Sequence, residues 1–396
     1  MTDNFNQVVI IAGKRTPITS LQGKLASLTA PELGSHVIAS VIQTAALNPE
    51  IVDEVIMGNV LSAGIGQAPA RQAAIKAGLS ETTPCTTVSK VCGSGMRSVM
   101  MACDQLRLGQ SNVIVAGGME SMTNAPYFIS KARQGLRLGH SEIKDHMFFD
   151  GLEDAYTGRA MGSFAQETAD KYNISRSAMD QYALLSLKRA QFAINEGAFD
   201  AEIVPLTLVT KHGEELITED EQPGKASPVK IPTLKAAFAK EGTITAANSS
   251  SISDGAAAIL LSTESFANKN GVKPLAKVVG HSSTARSPSE FTLAPIDAVS
   301  KLLKQIGWSV EDVDLWEINE AFAMVTMLAI EQLGLSQDKV NVNGGACALG
   351  HPIGASGTRI IVTLLHALRE RGLKKGIATL CIGGGEATAI AIEICD

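Results

Sequence analysis

Four apolar runs along the chain are short enough to be buried strands: VVII (8–11), NVIVAGG (112–118), AAAILLS (256–262) and AIAIEI (389–394). Elsewhere the apolar spacing becomes helical. After Gly95, the residues Met96, Val99, Met100 and Cys103 fall at i, i+3, i+4 and i+7, which aligns one face of an α-helix, and Gly109 follows as a stop. A second helix is predicted from about Ser356 to Arg371, with Ile361, Leu364, Leu365 and Leu368 on one face and Gly372 at its end. Strands alternating with helices predict an α/β fold.

The pattern repeats. GSG (93–95) opens a helix that leads to a strand ending AGGMES (116–121); GASG (354–357) opens a helix that leads to IGGGEAT (382–388). The intervals from Gly95 to Gly117 and from Gly357 to Gly383 are similar, each enough for one helix and one strand. Upstream, VDEVIMGNV (52–60) is echoed by VDLWEINEAF (313–322). Two copies of one α/β unit, packed as halves with a site where they meet, account for this. The predicted division is 1–119 with 251–271 for the first half, 120–250 for an insertion and 272–396 for the second half. The insertion clusters Lys, Arg, Glu, Pro and His with weak strand signals, so it is either a decorated surface loop region or a lid and ligand wall.

Composition narrows the function. In 396 residues, 45% are hydrophobic and 19% charged, as in ordinary globular proteins. Aromatic residues are only 4% and the formal charge is −6, which argues against nucleic-acid and anionic-membrane partners. No apolar run reaches spanning length, the N-terminal stretch lacks the features of a signal or transit peptide, and the terminal EICD carries no SKL or lipidation signal; a cytoplasmic location is expected. Six cysteines in a long chain without an export signal are expected to be free thiols. Cys347 and His351 are four apart, but no CxxC pair completes a zinc site, and no metal or bound cofactor is expected.

Four segments carry candidate chemistry. Cys92 in KVCGSGM (90–96) stands just before a helix, where the helix dipole lowers a thiol pKa, and Gly93 and Gly95 leave room for a ligand; the alternative is a small buried hydrophobe. His351 in NGGACALGHPIGASG (343–357) is either a base that activates a thiol or a buried, hydrogen-bonded histidine. Asn319 in NEAFA (319–323) is either a polar site residue or a helix cap. Cys381 in LCIGGGEA (380–387) adjoins three glycines; no nucleotide-binding GxGxxG or GxxxxGK[ST] is present, and exposed N–H groups there suit an oxyanion hole.

Together and in this order, CGSGM, NEAF, GHPIGASG and CIGGG resemble the thiolase family, and GGMESM (117–122), GLEDAYTGRAMG (151–162) and TAANSSSISDGAA (245–257) extend the resemblance over essentially the whole chain. It implies two similar α/β halves layered αβαβα with an inserted loop domain. It implies Cys92 as the acyl-accepting nucleophile, His351 as its activator and Cys381 as the second acid/base that takes an α-proton. Asn319 would hold a water that joins His351 at the enolate oxygen, and the N–H groups of Cys92 and Gly383 would serve the acyl-enzyme oxygen. Coenzyme A would run along Leu152, Met161, Phe238, Ala246 and Ser250, with Ala321 and Phe322 at the pantetheine tunnel; Lys225 and Lys230 remain alternatives for its nucleotide end. The implied partners are acyl-CoA, CoA and further copies of the chain, as a dimer or tetramer.

Three positions depart from the family pattern. Ser89 stands for an Asn upstream of Cys92, Ala160 for a His of short-chain members, and Phe291 for a pocket methionine. The expected activity is ping-pong conversion of two acetyl-CoA molecules to acetoacetyl-CoA and CoA, and its reverse. A 3-ketoacyl-CoA thiolase of longer chains is the alternative, and a non-catalytic acyl-CoA or lipid carrier on the same scaffold is a more remote one. A ketoacyl-carrier-protein synthase would share the fold but lack a counterpart of Cys381.

Overall fold

A computed structural model describes residues 6–211 and 213–395. Among the described residues one ten-stranded sheet holds β1 (Val8–Arg15), β2 (Glu54–Gly58), β3 (Cys85–Val88), β4 (Val113–Ser121), β5 (Ser253–Thr263), β6 (Ala276–Ala285), β7 (Leu315–Ile318), β8 (Lys375–Ile382) and β9 (Glu386–Ile394) in the order β7-β8-β9-β6-β1-β5-β4-β2-β3, and the two-residue strand Thr19–Ser20 pairs with β5 off that path. The duplication is visible in its directions. From β1 through β5 and β4 to β2 the pairings are antiparallel, antiparallel and parallel, and from β6 through β9 and β8 to β7 they repeat. Within the sheet the halves join at β1 and β6, where Val9 pairs with Lys277 and Ile10 with Ala276.

The helices that place the site are α1 (Ala30–Thr44), α2 (Ser94–Arg107), α3 (Met161–Lys171), α4 (Arg176–Asn195), α5 (Ala294–Ile306), α6 (Ala323–Leu333) and α7 (Ser356–Glu370). Helices α2 and α7 are the two expected from apolar spacing. They end before Gly109 and Gly372, both at positive φ, which glycine adopts without a Cβ penalty. Both lie between the half-sheets, sharing one core of Val99, Met100, Ile361 and Leu364 with strand residues Ile114, Ile259, Leu380 and Ile390. Their close crossing depends on the small residues noted above: a Cβ on Gly357 would come within 2.4 Å of the Met96 nitrogen. Helix α1 covers the outer face of the first half-sheet, and α5 with α6 covers that of the second. The result is five layers, αβαβα.

Residues 122–252 leave the sheet after Ser121 and return beside it, where Ser121 pairs with Asp254. The second half makes the same step with Gly383–Gly385 alone. The long segment is fastened by a buried charge cluster. Arg15 on β1 donates to Glu202 and, with two nitrogens, to Asp220 at 2.7 and 2.8 Å, all three side chains being inaccessible. Helices α3 and α4 within it were not expected from the sequence. The buried face of α4 mixes Met179, Tyr182, Ala183, Ser186, Leu187 and Ala190, so its period is carried partly by small and polar side chains. No helix among the described residues is long and apolar enough to cross a membrane.

Candidate active site

A cavity of about 380 Å³ opens where the two halves and the inserted segment meet. Cys92, His351, Cys381 and Gly383 all reach its wall, as do Leu152, Met161, Phe238, Ala246, Ser250, Ala321 and Phe322. Ala160 and Phe291, two of the departures from the family pattern, line it too, and Ile252 and Ile353 add apolar wall that sequence reasoning did not single out. Ser89, the third departure, is exposed on the turn before Cys92.

Cys92 is delivered by a tight turn between β3 and α2. Val91 has φ of 45°, the left-handed region, which a β-branched residue enters only at a cost of about 1–3 kcal/mol. The turn is held by Gly93 N–H donating to Lys90 O (3.0 Å), Ser94 N–H to Val91 O (3.0 Å) and Lys90 N–H to Ser94 Oγ (2.8 Å). Gly93 leaves room for the Ile382 side chain, which would have to shift from a Cβ placed 2.3 Å away. The turn thus lies directly on the end of β8.

The thiol's electrostatics differ from the sequence expectation. Cys92 does precede a helix, but burial pushes its pKa up to about 11, overriding the Gly383 N–H and its own N–H, which both donate to the sulfur. The dipole is outweighed by loss of water. Cys381, buried at the end of β8, is also pushed above its ordinary value, by burial and then by the neighbouring Cys92 thiol. His351 is held down at about 3 by burial, with the Arg359 charge adding to it. Both thiols and the imidazole are therefore uncharged at neutral pH.

The orientation of His351 follows from its partners. Nδ1 lies 2.6 Å from Ser356 Oγ, and that hydroxyl donates to Pro352 O at 3.0 Å. With its one proton committed, Ser356 accepts from Nδ1–H, which leaves the Nε2 lone pair free as a base. Nε2 is buried and has no protein partner among the described residues. Asn319 follows β7 and is wholly buried, and both polar atoms of its side-chain amide likewise lack a protein partner there. Asn319 does not cap α6, whose cap position is Phe322, and it does not line the cavity.

Two buried acids support these groups. Glu320, next to Asn319, accepts from Tyr182 Oη (3.0 Å), Ser186 Oγ (2.8 Å), Asn341 Nδ2 (2.9 Å) and Cys347 N–H (3.0 Å), tying α4 to the loop that leads to His351. The Cys347 thiol donates to the Glu320 carbonyl at 3.7 Å, so Cys347 and His351 serve different contacts. Glu120 at the end of β4 accepts from Asn59 Nδ2 (2.8 Å) and the N–H groups of Val60 (3.0 Å) and Leu61 (3.1 Å), and burial brings its pKa up to about 7. Neither acid was picked out from sequence; the signal was there in a carboxylate placed inside an otherwise uncharged buried strand or strand end.

The remaining wall is aromatic. Phe322 meets Phe238 and Phe291 edge to face, with centroids 6.2 and 6.4 Å apart. Phe238 lies over Gly162, where a Cβ would be 2.2 Å from the ring. Two thiols, a neutral imidazole with a free lone pair, and two N–H donors beside an apolar channel can transfer an acyl group and move a proton on carbon. Lys225 pairs with Glu221, and Lys230 is exposed; neither lines the cavity.

The chain matches the thiolase N-terminal domain over residues 8–265 and the thiolase C-terminal domain over residues 272–394. It is 48% identical to an acetyl-CoA acetyltransferase of Chromobacterium violaceum, covering 98% of this chain and 99% of that one, and 48% identical to one of Escherichia coli over 97% and 98%. Among solved structures, a thiolase from Ascaris suum in complex with coenzyme A superposes with a TM-score of 0.93 at 42% identity, covering 98% of this chain and all of the other. The acetyl-CoA acetyltransferase of Bacillus anthracis gives 0.97 at 40% identity, covering 100% of both chains. By sequence, fold and the side chains gathered in its cavity, the chain belongs to the thiolase family.

Proposed function

We propose that the protein is an acetyl-CoA acetyltransferase, joining two acetyl-CoA molecules into acetoacetyl-CoA and CoA and catalysing the reverse thiolysis. The observation that carries this is the meeting of Cys92 and Cys381, one from each half, with His351 in a single cavity. His351 Nε2 takes the Cys92 proton, and the thiolate attacks the thioester carbonyl, whose oxygen is received by the N–H groups of Cys92 and Gly383. The bond to the CoA sulfur breaks and Cys381 protonates the departing thiolate. The resulting Cys381 thiolate removes an α-proton from the second acetyl-CoA, and the carbanion attacks the acyl group on Cys92. Cys92 leaves and recovers its proton from His351. A thiol pushed above its ordinary pKa makes a stronger base once ionised, which suits Cys381 to that role.

Asn319, through a water it shares with His351 Nε2, stabilises the enolate oxygen of the second substrate. The pantetheine arm runs past Leu152, Met161, Phe238, Ala246, Ser250, Ala321 and Phe322. The buried Phe291 ring closes the acyl end and favours short chains. Comparing kcat/KM for acetoacetyl-, 3-ketohexanoyl- and 3-ketodecanoyl-CoA tests the reading, with acetoacetyl-CoA expected to be best. A maximum at the longest chain would reassign the protein to 3-ketoacyl-CoA thiolysis, and binding without turnover would leave a carrier.

An oligomer, with the tetramer as the expected form, is part of the same reading. The hairpin of Tyr127–Ile129 and Ile143–Asp145 exposes Tyr127, Ile129, Ile143 and, at 99%, Leu138 in the connecting loop, apolar surface suited to burial against other copies. Sedimentation of the intact protein tests it.

A further inference from the structure

We propose that Lys90 and Glu386 form a positioning pair that sets the oxyanion donors of the acyl-enzyme by tying the Cys92 turn to the strand beyond Gly383. The two residues come from opposite halves. Lys90 opens the turn that carries Cys92, and Glu386 is the first residue of β9, paired with Ile382 immediately before the Gly383–Gly385 turn. Their side chains form an ion pair between Lys90 Nζ and Glu386 Oε2.

The place of this link explains its use. The two N–H donors at the Cys92 sulfur sit on separate segments, one on the Cys92 turn and one on Gly383. On the Cys92 turn Lys90, Val91, Gly93 and Ser94 bond among themselves, and the glycine turn is fastened to the chain after β6, Gly385 O accepting from Arg286 N–H at 2.7 Å. None of those bonds crosses from one segment to the other. Across the gap, Val91 approaches Gly383, whose Cβ position would lie 3.5 Å from Val91 Cγ1, and Gly93 abuts Ile382; both contacts are apolar and non-directional. The ion pair adds a second directed connection, beside the Gly383 N–H donated to the Cys92 sulfur, at the turn that carries the left-handed Val91. Side-chain exposure of 24% for Lys90 and 37% for Glu386 keeps the effect moderate, on the order of fivefold.

The inference rests on Cys92 as the acyl acceptor, which acetylation of the wild-type enzyme tests separately. The experiment measures the alkylation rate of Cys92 by iodoacetamide at about pH 8 in Lys90→Met, Glu386→Gln and the charge-exchanged Lys90→Glu/Glu386→Lys, with the acylation burst from acetyl-CoA alongside. Charge acting through space would make the two single variants move oppositely: losing the cation disfavours the thiolate, and losing the anion favours it. Positioning requires that both slow alkylation and the burst by about fivefold, because both loosen the Gly383 donor, and that the exchanged pair recovers at least half of the loss. Opposite shifts in the single variants, unchanged rates in both, or no recovery in the exchanged pair at an unaltered melting temperature would each overturn the proposal.

Discussion

The Nδ1 nitrogen of His351 lies 2.6 Å from the Ser356 hydroxyl, whose own proton is spent on Pro352 O. The serine thereby chooses the tautomer of the ring. Ser356→Ala removes that choice while leaving the imidazole in place, so kcat should fall between about tenfold and a hundredfold with KM little changed. That is less than the roughly hundred- to ten-thousandfold expected for loss of a general base. Steady-state kinetics of Ser356→Ala beside His351→Ala would check it; equal losses in the two would show that Ser356 does more than orient.

The two thiols should separate by step. Brief incubation with acetyl-CoA followed by mass spectrometry should place the acetyl group on Cys92 alone. Cys381→Ala should still acylate and lose condensation, and Cys92→Ala should lose both. Acetyl found on Cys381, or condensation by Cys381→Ala near the wild-type rate, would remove the second acid/base from the scheme.

The pH dependence has a definite sign. Burial raises Cys92 to about 11 and lowers His351 to about 3, so lowering the pH from 9 to 6 leaves the imidazole neutral and depletes the thiolate. Alkylation of Cys92 in the free enzyme should therefore rise roughly tenfold per pH unit over that range, without an inflection near the ordinary histidine pKa. A plateau at neutral pH would mean a resting thiolate–imidazolium pair and would falsify the neutral site.

Gly162 allows the Phe238 ring to lie against the start of α3. Gly162→Ala should displace the ring, raising KM for CoA thioesters several-fold. The melting temperature should hold or fall, because the crowding against the ring, about 1–3 kcal/mol, offsets the preference of a helix for alanine, up to about 1 kcal/mol. Unchanged KM would show that the ring does not contact the substrate.

Phe291→Leu opens the acyl end of the cavity and removes one of the edge contacts on Phe322. The ratio of kcat/KM for 3-ketohexanoyl- to acetoacetyl-CoA should increase. A methylene in an apolar pocket is worth about 1–3 kcal/mol of discrimination, so the change should be near tenfold. A ratio that does not move would put the selectivity elsewhere, with Ala160 and Met161 the next walls to alter.

Much of the architecture was legible because the signals were local. Helices α2 and α7 announced themselves through apolar spacing and terminal glycines, and the echo between the halves returned as the same sequence of strand pairings. The cavity side chains were named through motifs. What escaped depends on distance in the chain. Glu320 meets Tyr182 and Ser186 of α4, and Lys90 meets Glu386, pairings that spacing along one dimension does not encode. The acidity of Cys92 was misjudged for a related reason: position before a helix is visible in sequence, whereas the depth that outweighs it belongs to the assembled halves.

Because Ser121 and Asp254 are partners across one rung of the sheet, the ends of the long inserted segment arrive side by side, as the ends of a three-glycine turn do in the other half. That makes the segment a transplantable cassette. A different acyl channel can be grafted between the same two strands at a closure cost that grows only slowly with its length. The graft must replace the Tyr182 and Ser186 hydroxyls that Glu320 accepts from. It must also bring acids to the places of Glu202 and Asp220, or Arg15 is left as a buried charge without a counterion.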